Sequence, residues 1–340
     1  MQEIRVEEAV GKILMHDITK IVPGEFKGRA FAKGHIIREE DISELLKLGK
    51  EHVFVGELAA GQVHEHDAAK RIAAAVCGEG LSYGDPVEGK ISPRAAYDGM
   101  CCVNEAALLQ INMIDYVAVG TRNNRKPVKK GEIVASLKVI PLSVDESTLN
   151  MVENIAAHED VIKVKPFRSF KVGLVTTGNE VFTGRIKEKF GPVIKQKLES
   201  YGCELLEQVI VPDDASQISQ TIRNLIDNGA EMIFTTGGMS VDPDDVTPTG
   251  IRSTGAEVVS YGAPVFPGVM MLVAYLGNIP ILGLPGAVSY FKATVFDLVM
   301  PMLLAEERIT KLDLAKLGMG GLCLNCETCH YPSCGFGTGA

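Results

Sequence analysis

Three short apolar runs in the second half of the chain each end in a loop of small residues, and helical patterns separate them. Val172-Gly173-Leu174-Val175 leads into Thr176-Thr177-Gly178-Asn179-Glu180, and Met232-Ile233-Phe234 leads into the long loop Thr235 to Pro248. Ile279 to Leu284 leads into Pro285-Gly286-Ala287, ahead of a stretch from Val288 to Leu304 that reads as one helix. Buried strands alternating with helices predict an α/β fold with a doubly wound, mostly parallel sheet. In such a sheet ligands bind outside the carboxyl ends of the strands, so the three loops are predicted to meet in one crevice.

The middle loop carries the richest chemistry. Gly237 and Gly238 remove side chains so that a ligand can approach backbone N–H groups. Ser240 adds a hydroxyl, and Asp242, Asp244 and Asp245 add carboxylates suited to a metal or a proton. Phosphate and Mg²⁺ chemistry fits that set; a polar turn capped by Asp and Thr is the plainer alternative. Thr247-Pro248 reads as the N-cap and first position of the next helix.

Between the loops, Ile194, Leu198 and Tyr201 share one face of a helix stopped by Gly202. Asp214 to Gln217 reads as a capping box for a second helix, with Ile218, Ile222, Leu225 and Ile226 as its buried stripe. That assignment leaves Asp213 just outside the helix, as a loop carboxylate available to a metal or as a second-best cap.

Residues from about Phe170 to Ala305 resemble the molybdopterin-binding fold shared by the molybdenum insertases (MoeA and the gephyrin E domain) and the molybdopterin adenylyltransferases (MogA and the gephyrin G domain). The likeness rests on Thr176 to Glu180, Pro212-Asp213, Thr236-Gly237-Gly238 through Pro248, and Leu284-Pro285-Gly286 with Ser289. It implies that Thr176, Thr177, Gly178, Glu180, Thr236, Gly237, Gly238, Ser240, Pro285, Gly286 and Ser289 hold molybdopterin, and that Asp213 and Asp245 are catalytic and associated with Mg²⁺. Some positions depart from the insertase pattern. Asn179 replaces its usual Asp, Asp242 its usual glycine, and the third loop is one residue shorter and lacks Asn-Pro. Asp245-Val246-Thr247-Pro248 follows the adenylyltransferase instead. Three functions therefore stay open: molybdate insertion into adenylylated molybdopterin with release of AMP, adenylylation of molybdopterin from ATP, and carriage of finished cofactor without turnover.

At 340 residues the chain is expected to hold two or more domains. Candidate boundaries are 1–60, an α+β segment like the start of the insertase; 61–168, a helix and a β-rich region; 169–306, the α/β domain; and 307–340, a linker and tail. A net charge of −9 argues against nucleic acid and basic membrane patches. No run reaches membrane-spanning length and the first residues lack a signal-peptide core, so a cytoplasmic location is expected. Val63 to Cys77 reads as a helix, and Gly84 to Leu142 as short β runs and turns. Tyr97-Asp98-Gly99-Met100 resembles an insertase element that joins a neighbouring subunit's cleft, which implies a homodimer; Asp98-Gly99 also suits a tight turn. Thr121 to Lys126 is expected to be a solvated turn, and His64-Glu65-His66 an exposed polar face.

The chain finishes in a Cys-rich tail that the insertase does not share. Cys323, Cys326, Cys329 and Cys334 are spaced C-x2-C-x2-C-x4-C, half of the 8 cysteines. Such clustering favours a metal: an iron–sulfur cluster first, zinc with His330 as an alternative ligand, or else a metal-free tail that docks on a recipient molybdoenzyme. Gly318 to Gly321 are expected to leave the tail free to wrap a cation. Cys77, Cys101, Cys102 and Cys203 read as buried free thiols, and Glu188 as either a substitute acid or part of an exposed charge cluster.

Overall fold

The computed structural model describes residues 1–158 and 160–339. By contact the chain forms two compact units, each assembled from several stretches: Met1–Ala96 with Val103–Arg122 and Gly131–Lys163, and Tyr97–Cys102 with Asn123–Lys130 and everything described from Val164 onward.

In the first unit, strands Gln2–Arg5 and His52–Val55 pair antiparallel and close over a small core of Val6, Leu14, Ile18, Leu45 and Val53. Helix Glu65–Val76 packs on helix Glu146–Ala156, and Arg71 reaches both Glu153 oxygens at 2.8 Å. The β-rich stretch contains a helix that the sequence reading did not anticipate, Glu105–Asn112, begun where the Asn104 side chain accepts from Ala107 N–H at 3.1 Å. His64 is not exposed as expected. It is 1% exposed, and it caps helix Glu65–Val76 by accepting from His66 N–H while its Nε2 reaches the Met15 carbonyl oxygen at 2.7 Å.

The second unit is built on six strands: β1 (Lys171–Thr177), β2 (Glu204–Val211), β3 (Met232–Thr236), β4 (Glu257–Tyr261), β5 (Leu272–Leu276) and β6 (Ile279–Leu284). Their spatial order is β2-β1-β3-β6-β5-β4, parallel across the first four and antiparallel across the last two contacts. Alternate side chains of one strand feed two cores. Leu174, Met232, Phe234 and Leu282 point to one face, and Val175, Ile233 and Ile281 to the other. A sheet covered on both faces needs continuous apolar strands, which is why these runs show no polar alternation.

On the first face lie α1 (Phe190–Ser200), through Ile194 and Leu198, and the wholly buried α4 (Val295–Leu304). On the second lie α2 (Ala215–Asp227), through Ile218, Ile222 and Leu225, and α3 (Thr247–Ser253), through Ile251. Asp214 starts α2 by accepting from Gln217 N–H at 2.8 Å. The helix expected from Val288 to Leu304 is interrupted. Gly286–Ser289 form one 3-10 turn, and α4 starts afresh at Val295, where Thr294 and Asp297 cap one another reciprocally. Asp297 also pairs with Lys197 at 2.7 Å.

The tail belongs to the same core. Helix α5 (Lys311–Lys316) opens on a reciprocal Thr310–Asp313 cap, and Leu314, Leu317 and Phe336 pack with α4 residues. Gly318 to Gly321 are not a loose connection: Gly321 accepts from Phe266 N–H at 2.7 Å, and a side chain there would strike the Pro264 carbonyl oxygen. Nor is the turn before Pro127 solvated. Arg125 bonds Asp313 at 2.7 Å, and Lys126 is 3% exposed, donates to the Phe336 carbonyl and has its ammonium pushed down to about 8 by burial.

Removing the Asp297 carboxylate takes away the α4 cap and strands a half-enclosed ammonium. Asp297→Ala is expected to lower unfolding free energy by about 3 kcal/mol in urea titrations; a loss under about 0.5 kcal/mol, the scale of ordinary surface changes, would show that the cap and ion pair are dispensable.

Candidate functional site

The candidate site is the edge of the sheet at which β1, β2, β3 and β6 end, all four running parallel. Thr176, Thr177, Thr236 and Thr247 are all at most 3% exposed and supply its floor. Thr236 Oγ1 donates to Thr176 Oγ1 at 3.2 Å, Gln208 Nε2 donates to the same oxygen at 3.0 Å, and the Thr177 and Thr247 hydroxyls share a 2.9 Å bond. Buried hydroxyls need partners, and these find each other across adjacent strands. The three threonines assigned to the ligand thus turn their hydroxyls inward, beneath the loops.

Above that floor the backbone turns sharply. Gly237 and Gly238 take left-handed φ values of +86° and +53° in succession. A Cβ on Gly237 would lie 2.1 Å from the Thr177 carbonyl oxygen, so the loop can follow this path only without a side chain. The sequence suggested that a side chain here would obstruct a ligand; its first collision is with the protein's own strand end. Gly286, after β6, faces open space.

Both acids are tethered beside the same strand end. Asp213 Oδ2 accepts from Asn179 N–H at 2.8 Å, and Asn179 Oδ1 accepts from Asp213 N–H at 3.3 Å, a reciprocal clasp between the loops after β1 and β2. Asp245 Oδ2 accepts from Asp242 N–H at 3.0 Å, two residues before the Thr247 that touches Thr177. Gly178 therefore has one acid-bearing loop bonded to the residue after it and the other to the residue before it. Among the described residues, no three Cys, His, Asp or Glu side chains converge as they would on a single ion. Two carboxylates remain a sufficient protein contribution for Mg²⁺, which completes its shell with water and phosphate.

The other candidates divide. Glu180 and Ser240 are exposed at the rim, Ser289 spends its hydroxyl on the Gly286 carbonyl at 2.8 Å, and Pro285 is buried at the end of β6. Glu188 accepts from Phe190 N–H and Gly191 N–H at 2.5 and 2.8 Å, so it fastens the start of α1. Tyr261, which sequence reasoning passed over, donates to the carbonyl oxygens of Met239 and Ser240 and pins the middle loop from β4. Thr247 was read as a helix cap, but the cap is Val246 and the hydroxyl serves the floor.

The sheet is an α/β sheet, parallel through β2, β1, β3 and β6, whose carboxyl edge carries a glycine turn, two tethered acids and a third small-residue loop. Residues 173–305 match the family described as a probable molybdopterin binding domain. Over 314 residues, 88% of this chain and 71% of the relative, the sequence is 22% identical to the molybdopterin molybdenumtransferase of Haemophilus influenzae. A CinA-like protein of Mycobacterium avium is 38% identical over 92 residues, 27% of this chain and 21% of that protein. Among solved structures, the molybdopterin biosynthesis enzyme MoaB of Thermus thermophilus is 22% identical with a TM-score of 0.32, over 39% of this chain and 91% of that one. Residues 3–57 match a domain of unknown function, DUF8806. No helix among the described residues is long and apolar enough to cross a membrane.

Gly237→Ala is expected to cost about 2 kcal/mol of stability, because alanine is strained at φ +86° and collides with Thr177, and to weaken molybdopterin binding. Gly286→Ala, which meets open space, should melt like the wild type. Calorimetry and thermal melts read both; a Gly237→Ala protein with unchanged melting and affinity would mean that the loop takes its course from other residues.

Proposed function

We propose that the chain binds molybdopterin in its adenylylated form across the three loops and inserts molybdate, releasing AMP. The observation that carries this reading is the convergence on Gly178: Asn179 holds Asp213, and Thr177 holds the segment that bears Asp245. Each carboxylate is fastened through one oxygen to a backbone N–H, which fixes its position and leaves the other oxygen to face a ligand.

The residues divide the work. The consecutive left-handed glycines 237 and 238 leave the backbone clear of side chains, the role suited to close approach by the terminal phosphate of the pterin. Gly286 leaves room for the ligand at the end of β6. Asp213 and Asp245 hold Mg²⁺, which when bound neutralises charge on the phosphates and eases departure of AMP. Rigid tethering matters because a carboxylate that need not reorganise is already placed for the transition state. A homodimer and a recipient molybdoenzyme belong to this reading, as does a cytoplasmic setting for a reaction whose substrate is made inside the cell. The alignment with a molybdenumtransferase over 88% of the chain supports insertion over adenylyl transfer.

Asp213→Asn and Asp245→Asn preserve shape and the ability to accept from Asn179 and Asp242. Each is expected to keep molybdopterin affinity within about threefold and to lose molybdate-dependent AMP release by on the order of 100-fold. Measuring AMP release from adenylylated molybdopterin, with and without molybdate, decides the matter. Full turnover in both variants would remove the acids from the mechanism; pyrophosphate release from ATP by the wild type would replace insertion with adenylyl transfer; tight binding without any turnover would make the protein a carrier.

A further inference from the structure

The tail cysteines carry a second inference, independent of the pterin loops. Cys323, Cys326, Cys329 and Cys334 are all free thiols, and all four line one cleft of about 300 Å³. The chain around it is held in place. Cys323 N–H donates to the Phe266 carbonyl at 2.7 Å, Asn325 turns the first C-x2-C pair at φ +50°, and Tyr331 Oη donates to the Asp297 carbonyl at 2.5 Å. Four soft ligands thus line one cleft.

The spacing of the cysteines separates the metals. Structural zinc draws its ligand pairs from two separated turns, whereas Cys323, Cys326 and Cys329 lie on one C-x2-C-x2-C run. Such a run with a fourth cysteine close behind it is the ligand pattern of an iron–sulfur cluster; among the described residues the thiols are not already gathered into a three-ligand group. The remaining lining is apolar, with Phe336 buried beneath the cleft and Leu322 and Leu324 exposed at its mouth.

A second observation is electrostatic. The Lys126 ammonium is buried against this wall, over the Tyr331 ring at 5.0 Å. Among the described residues it is paired with no carboxylate, and its one acceptor is the Phe336 carbonyl. A buried cation without an anion is costly, and a cluster ligated by four thiolates carries net negative charge. Lys292, whose Nζ donates to the Glu327 carbonyl at 3.2 Å, adds a second cation at the rim.

We propose that Cys323, Cys326, Cys329 and Cys334 ligate a single cubane cluster of four irons and four sulfides in this cleft, with Lys126 as its buried counter-charge. The full-length chain, purified without oxygen and reconstituted with ferrous iron, sulfide and dithiothreitol, is expected to hold about four irons and four sulfides, with a visible absorption that dithionite bleaches. Cys326 and Cys329 are exposed, so the double variant Cys326→Ala, Cys329→Ala should melt like the wild type yet lose at least about tenfold of the bound iron. Cys77→Ser, in the other unit, should keep it all. One zinc and no iron, two irons with two sulfides, no metal at all, or full iron in the double variant would each overturn the proposal. None of those results would alter pterin binding by the loops, which calorimetry on the same samples reads separately.

Discussion

Four threonine hydroxyls and one glutamine amide, sealed beneath the loops, hold the carboxyl ends of the central strands to one another, and the candidate site takes its form from them. Thr176 receives Thr236 from one side and Gln208 from the other, so β3 and β2 are both tied to β1 by side chains as well as by their backbone ladders. Thr177 and Thr247 extend the tie to the first residue of α3. A buried hydroxyl without a partner costs one to several kcal/mol, so the set is satisfied together or not at all. The glycine turn is a consequence of this floor. Once Thr177 and Thr247 are locked together, the chain between Thr236 and Thr247 must leave past the Thr177 carbonyl, and only a residue without a Cβ passes it.

Much of the α/β domain was legible because its signals are local. Strands covered on both faces cannot alternate polar and apolar residues, and β1, β3 and β6 show this directly in the sequence. The Ile218-Ile222-Leu225 stripe gave α2, and the glycine-bearing loops marked the carboxyl edge of the sheet. The helix expected from Val288 failed because hydrophobicity continues through a stretch in which Thr294 and Asp297 restart the helix, and an apolar run does not reveal where a cap divides it. The helix Glu105–Asn112 was hidden by its brevity inside a region rich in β-formers.

What the sequence concealed lies at long range. His64 and Lys126 look like solvent residues by type, and become interior ones only through carbonyl oxygens 49 and 210 positions away, at Met15 and Phe336. The site shows the same limit. The candidate loops could be named from their composition, whereas the direction of each hydroxyl could not. Thr176, Thr177 and Thr236 sit where a ligand-binding reading puts them, yet their hydroxyls serve the scaffold, and the tethering of Asp213 by Asn179 needed the loops after β1 and β2 to be neighbours first.

The core of the second unit draws on Met100 near the first third of the chain and on Phe336 near its last residues. During synthesis the sheet strands therefore emerge from the ribosome well before the side chains that finish their covering. Until Leu314, Leu317 and Phe336 follow, one end of that core stays open to water and Lys126 lacks its acceptor. A domain completed so late depends on contacts distant in sequence, the kind that close slowly and leave apolar surface exposed in the meantime. The cysteines travel on that same segment, so the nascent chain acquires its thiols together with the side chains that complete this core.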